Sequence, residues 1–328
     1  MKAFLKLIRW QNLLIIALTM VLMRYAVISP ILGKIGVKLY NIAGNQSVMT
    51  LIFPWYDFVI LVLSTVLITA AGYVINDYFD IKTDLINRGS VLVGTSIPRR
   101  KAMMLHNVLN IAGVLAGFYV SWKVGYLWLG IFFILVSGLL YFYSASYKRQ
   151  FLIGNLIVAL LTAMVPMMVV LFETPALYQY YAVNSVALPK LGILFYWVGG
   201  FALFAFLTTL AREIIKDIED FEGDVAYGRN TVPVVLGIIT TKVIAVCLVA
   251  ITIILLFVIW YFFVNDLITL IYVSAAIALP LSYVIYLTLS GKTKLQLHKA
   301  SNVMKIAMLT GILYSVVAWA IITYKLLY

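Results

Sequence analysis

Along this chain, long apolar runs alternate with short polar stretches, and within the runs there is no period-two alternation. Nine runs reach about the 20 residues that carry an α-helix across a hydrocarbon core roughly 30 Å thick. They cover residues 10–32, 48–75, 102–122, 124–146, 153–172, 190–214, 237–264, 266–290 and 303–325. Gly and Pro inside the runs, and the lack of ten-residue alternating segments, fit membrane helices rather than a barrel. The pattern predicts an all-α polytopic membrane protein with nine transmembrane helices, forming a single domain over residues 1–328. The first run is too long for a cleaved signal and lacks a small-residue cleavage site, so it is expected to be retained.

Composition agrees. Of the 328 residues, 64% are hydrophobic and 11% charged, against roughly 25% charged in a soluble domain. The net charge of +12 does not imply nucleic acid, because the basic residues are spread over short loops, as membrane anchoring requires. With the amino terminus in the cytoplasm, eighteen Lys and Arg fall on that side. Five fall opposite (Lys34, Lys38, Lys123, Lys190 and Lys325), and Arg24 lies within the first run. That bias fixes the orientation. Arg24 has no evident partner in the sequence and is expected to snorkel outward. Cys247 stands alone, and His106 and His298 are too few for a metal cluster.

The acids are concentrated. Nine of the twelve fall in two stretches: NDYFDIKTD, residues 76–84, and REIIKDIEDFEGD, residues 212–224. Both contain DxxDxxxD, as Asp77, Asp80 and Asp84 and again as Asp217, Asp220 and Asp224. In a continuous helix this spacing puts three carboxylates on one face, with Glu213 one turn before Asp217. Such a stripe repels itself unless cations hold it. Oxygen-only donors select hard cations, and Mg2+ is the one usually held by a few carboxylates together with substrate phosphates. Each motif ends an apolar run and both emerge on the cytoplasmic side, so two facing stripes are expected to clamp one polyanion through bridging metals. Solvated loops account equally for either cluster alone, but less well for the repeat.

Direct donors for an anion lie nearby: Arg88 in INRGS, Lys216 beside Asp217, and Lys148 with Arg149 at the end of the fourth run. Positive-inside anchoring also fits Lys148 and Arg149, and is preferred for Arg99, Arg100 and Lys101. Tyr141, Tyr143 and Tyr147 suit an interfacial aromatic belt, or the stabilisation of a carbocation over a ring face. Asn12 and Asn155 fit either a cavity wall or helix packing.

NDYFDIKTD and DIEDFEGD resemble the two aspartate-rich motifs of the UbiA superfamily of intramembrane prenyltransferases, NDxxDxxxD and DxxDxxxD. YSASYKR with IGN (residues 143–155) and YGRNTVP (residues 227–233) resemble the flanking signatures. The resemblance implies a ring of helices around a central cavity open to lipid, in which Mg2+ held by both motifs binds a prenyl diphosphate that ionises to an allylic cation. It assigns Asp77, Asp80, Asp84, Asp217, Asp220 and Asp224 to the metals. Asn76, Arg88, Lys148 and Lys216 go to the diphosphate, and Tyr143 to the cation.

The implied partners are a prenyl diphosphate, a lipophilic acceptor and the bilayer, with no nucleic acid and no protein partner. In a prokaryote the implied location is the plasma membrane, with the site facing the cytoplasm. The run REIIKDIEDFEGD followed by TVP is most similar to the branch that joins a geranylgeranyl group to geranylgeranylglyceryl phosphate. The chain departs from that branch after INR, where Gly89 and Ser90 replace the usual proline. Two alternatives remain open: prenylation of an aromatic acceptor (dihydroxynaphthoate, hydroxybenzoate or homogentisate) in quinone synthesis, and divalent-cation transport through a carboxylate-lined path. Acids at helix ends rather than at the bilayer midplane argue against transport.

Overall fold

The computed structural model describes residues 2–35, 48–184 and 191–325, apart from the side chains of Asn87, Arg88, Asn184 and Lys325. Among these residues there is no β-strand, and nine helices are long and apolar enough to span a membrane. A short helix α1 (Lys2–Leu7) leads into the first span, α2 (Trp10–Lys34). Spans α3 (Trp55–Phe79), α5 (Arg99–Lys123), α6 (Leu127–Ala145) and α7 (Ile153–Val183) follow, with the short α4 (Ile81–Arg88) after α3. The second half comprises α8 (Gly192–Glu219), the short α9 (Phe221–Ala226) and α10 (Val232–Leu236), then α11 (Ile238–Val264), α12 (Leu267–Ser290) and α13 (Lys294–Tyr324). Neighbouring spans close a ring: α2 on α3, α3 on α6, α6 on α7, α7 on α8, α8 on α11, α11 on α12, α12 on α13, and α13 back on α2. The fold class is the one the hydropathy pattern predicts.

Without a hydrophobic force between helices in lipid, close packing relies on small residues. Span α5 lies against α3 and α6 through Gly113 and Gly117. A Cβ at Gly113 would stand 2.7 Å from Ile68, and one at Gly117 would stand 2.4 Å from the Phe133 ring. The Ser64 hydroxyl donates to the Gly113 carbonyl at 2.7 Å. One apolar core joins α2, α3, α6 and α7, and a second joins α8, α11, α12 and α13.

Several boundaries differ from the hydropathy reading, the second span for one starting at Trp55 rather than 48 and the sixth ending at Glu219 rather than 214. The second span ends at Phe79 rather than 75, because Asn76 and Asp77 complete its last turn. The fifth runs eleven residues beyond 172, through Pro175, since Glu173 does not stop it. The ninth begins at Lys294, where a polar turn extends the helix beyond the membrane.

Glu173 continues the helix because it is neutralised. Its carboxylate lies 3.1 Å from Arg24 Nε and accepts from the backbone N–H groups of Ile52 and Phe53, both at 3.1 Å. Arg24, 2% exposed, sits in a wider π-type turn of α2 (Met23–Ile28), donates to the Phe53 carbonyl and lies 4.5 Å from the Phe58 ring centroid. The expectation that Arg24 snorkels is therefore corrected. A partner of opposite sign on another span makes burial cheaper than reaching the interface. Lys38 and Lys190, both counted on the far side, lie outside the described residues.

Candidate active site

The two acidic motifs share one backbone design. Span α3 ends at Phe79 and α8 at Glu219, and in each case the next residue is the middle aspartate. Asp80 has φ −89° and ψ 2°, and Asp220 has φ −93° and ψ 7°. Both sit off α-helical geometry, in the bridge region where many site residues are found. The i to i−4 hydrogen bonds nevertheless continue across each bend: Asp80 N–H to Asn76 at 3.0 Å, and Asp220 N–H to Lys216 at 2.9 Å. The single helical stripe expected from the spacing is thus corrected. The first aspartate of each motif lies on a membrane helix, the middle one at the bend, and the third on a short helix, α4 or α9. Those two short helices pack on each other, which brings the motifs to one end of the bundle.

Cations bind the first motif. The Arg9 guanidinium donates to Asp77 Oδ1 at 2.9 Å and lies 4.8 Å from the Tyr73 ring centroid. Lys148 pairs with Asp80 and donates to Asn76 Oδ1 at 3.2 Å. Arg229, which is buried, donates to Asp80 Oδ1 at 3.0 Å and to the Thr83 hydroxyl at 2.6 Å, and its other nitrogen lies 3.5 Å from Asp224 Oδ1. Arg229 therefore bridges the motifs. Burial raises the Asp80 carboxyl, but Lys148 and Arg229 outweigh it and hold its pKa below the ordinary carboxylate value.

The second motif has fewer counter-charges. Asp217 Oδ2 accepts from the Asn155 amide at 2.8 Å, and Asp220 has no ion pair among the described residues. Burial pushes the Asp224 carboxyl up, with the Asp220 charge adding to the rise; Arg229 and Thr231 offset only part of it. Lys216 reaches Glu213 at 3.4 Å rather than Asp217, and Arg212 pairs with Glu213 at 2.8 Å. The Arg88 side chain lies outside the described residues, although α4 carries its backbone.

Tyr143 lies within electrostatic reach of Glu213, Asp80, Asp217 and Arg9. Gly154 lets the turn carrying Lys148 approach: a Cβ there would stand 2.9 Å from Lys148 Cα. The Asn230 N–H donates to the Arg149 carbonyl at 2.9 Å, tying the loop that carries Arg229 to that same turn.

Of the sequence candidates, the structure joins Asn76, Asp80, Lys148 and Tyr143 of the first half with the Asp217–Asp224 stretch. It adds Arg9, Tyr73 and Thr83 to the group, and places there Asn155, a cavity-wall candidate in the sequence, and Arg229, which lies in YGRNTVP. Arg9 reads as anchoring charge in the sequence, and only its place at the head of the first span hinted otherwise.

Every acidic donor in the group is an oxygen donor, the type Mg2+ takes. Among the described residues no three acidic, His or Cys side chains converge closely enough to hold an ion alone. The donors fit Mg2+ in the mode in which one or two carboxylates share the ion with substrate phosphates and water.

The sequence profile of the UbiA prenyltransferase family matches residues 47–309. The chain belongs to this family. It is a prenyltransferase by that membership. A digeranylgeranylglyceryl phosphate synthase of Methanosphaera stadtmanae is 32% identical over 255 residues, covering 77% of this chain and 85% of that protein. A solved digeranylgeranylglyceryl phosphate synthase structure superposes with a TM-score of 0.58 at 22% identity, covering 96% of this chain and 98% of the other. A UbiA homolog from Archaeoglobus fulgidus, solved bound to GPP and Mg2+, superposes with a TM-score of 0.52 at 17% identity over 96% of this chain and 99% of that one. At these identities the structural likenesses establish the UbiA fold. The nine apolar helices and the family together make the chain an integral membrane protein.

Proposed function

We propose that this protein transfers a geranylgeranyl group from its diphosphate to the free hydroxyl of geranylgeranylglyceryl phosphate, with the site on the cytoplasmic face of a plasma membrane. The observation that carries the transfer reading is the Arg229 bridge from Asp80 to Asp224, which ties the two carboxylate motifs together, with Lys148 on the same Asp80. The acceptor follows the name of the Methanosphaera relative and the REIIKDIEDFEGD stretch; the basic bias at this end supports the cytoplasmic side.

Asp77, Asp80, Asp84, Asp217, Asp220 and Asp224 would supply the oxygens for Mg2+, and Asn155 orients Asp217. Bound Mg2+ supplies Lewis-acid neutralisation of the diphosphate charge that grows as the allylic C–O bond breaks. Asn76, Lys148 and Arg229 bind the diphosphate oxygens, joined by Lys216 and Arg88. For this, Lys148 and Arg229 would turn from Asp80, their partner here, to the diphosphate oxygens. The face of Tyr143 stabilises the allylic cation. The acceptor oxygen then bonds to the allylic carbon and gives its proton to the departed diphosphate.

The test uses membranes carrying the wild type or Asp80→Ala, labelled geranylgeranyl diphosphate and Mg2+, with either geranylgeranylglyceryl phosphate or dihydroxynaphthoate as acceptor. Product from the glycerol phosphate that depends on Mg2+ and on Asp80 is expected. Product from the aromatic acceptor alone would move the protein to quinone synthesis, and product from neither would contradict both acceptors.

A further inference from the structure

An acceptor that carries its own phosphate needs cations separate from those that hold the donor diphosphate, because two polyanions on one set repel. A basic groove lies beside the first motif. Lys2, Leu5, Lys6, Arg9, Trp10, Gln11 and Asn12 line a space of about 450 Å3 between α1 and the start of α2. Three of these residues are cations and none is acidic, and Lys2 and Lys6 have no carboxylate partner among the described residues.

The groove is built rather than frayed. Leu7 is fully buried in a cluster with Val74, Val93 and Ala102, which fixes α1 to the second and third spans and to the loop between them. Arg9 adopts left-handed backbone angles, φ 51° and ψ 53°. For a residue with a Cβ this costs on the order of 1 kcal/mol and tends to occur where a site demands it. The bend carries the Arg9 guanidinium over Tyr73 and onto Asp77, so the groove wall is continuous with the first motif. Asn12 donates to the Tyr73 hydroxyl at 3.2 Å and braces the same ring. Trp10, half exposed at the first residue of the span, marks the interface. There a lipid keeps its head in water and its tail in the bilayer.

We infer that the groove of Lys2, Lys6 and Arg9 binds the phosphate monoester head of the lipid acceptor and presents the neighbouring glycerol hydroxyl to the donor across Asp77. This rests on the glycerol phosphate reading proposed above.

The experiment uses the full chain in phosphatidylcholine nanodiscs, with wild type, Lys2→Gln/Lys6→Gln and Lys6→Glu. It measures KM for geranylgeranylglyceryl phosphate, KM for geranylgeranyl diphosphate, and equilibrium binding of the acceptor and of its dephosphorylated analogue. The double variant is expected to raise the acceptor KM about tenfold and to weaken phosphorylated-acceptor binding to match, with Lys6→Glu weaker still. The donor KM and the binding of the dephosphorylated analogue stay within twofold. An unmoved acceptor KM, or an equal rise in the donor KM, overturns the inference. So does a loss that appears only in phosphatidylglycerol nanodiscs, which would make the lysines a membrane anchor. A wild type that makes no product from the glycerol phosphate fails at the acceptor reading itself. That outcome is distinct from a wild type that makes the product while the double variant is unaltered.

Discussion

Asp80 and Asp220 occupy the same bend at the end of a membrane helix, with φ and ψ of −89° and 2° against −93° and 7°. Lys148 and Arg229 grip Asp80, whereas Asp220 has no ion pair among the described residues. The pKa directions follow the partners. Burial alone would raise both Asp80 and Asp224; two cations bring Asp80 below the ordinary value, while Asp224, with a share of one arginine and Asp220 beside it, stays above. Identical backbone placement therefore produces a motif neutralised by the protein and a motif that still lacks positive charge. On the proposed reading, the second motif would share Mg2+ with the substrate diphosphate, and Lys148 and Arg229 would turn from Asp80 to the diphosphate oxygens.

The largest expected effect removes the distinction. Asp80→Asn and Asp220→Asn should each lower kcat about 1,000-fold, since both deprive the departing diphosphate of metal. A variant that retained a tenth of the wild-type rate would show its motif to be dispensable. Next, Arg229→Gln should cost about 100-fold in kcat and roughly 1–3 kcal/mol of stability by leaving Asp80 and Asp224 short of a donor. Arg229→Lys should recover little, because a single ammonium does not span both carboxylates as the guanidinium fork does. Assays of prenyl transfer with thermal unfolding of the purified variants measure both. The smallest effect belongs to Asn155→Ala, which leaves Asp217 in place without its amide donor. About a tenfold rise in the Mg2+ concentration needed for half-maximal rate is expected, with a stability change near 1 kcal/mol.

The spans were legible in the sequence because twenty apolar residues have few other uses. What hydropathy missed were positions where two distant residues cancel. Glu173 reads as a helix stop and Arg24 as a stray charge until the ring of helices places them 3.1 Å apart. Two lone charges of opposite sign on different spans were the available signal. At the candidate site, the DxxDxxxD repeat stood out because two identical stripes of like charge repel unless cations hold them, and Lys148 because it lies close by as an anion donor. Arg9 did not, and Arg229 showed only as a basic residue within YGRNTVP. They reach their partners across 68 and 149 residues and look like ordinary inside-positive charge. The bend at each middle aspartate was equally hidden, since the spacing alone suits an unbroken helix.

The difference between the motifs is tested most directly by thermal unfolding of wild type, Asp80→Asn and Asp220→Asn in chelator, without substrate. Asp80→Asn should lower the midpoint, by the equivalent of about 1–3 kcal/mol, because Lys148 and buried Arg229 lose their counter-charge. Asp220→Asn should leave the midpoint unchanged or raise it by easing repulsion with Asp224. Equal falls in the two variants, or the larger fall in Asp220→Asn, would contradict a pre-neutralised first motif and an unfilled second one.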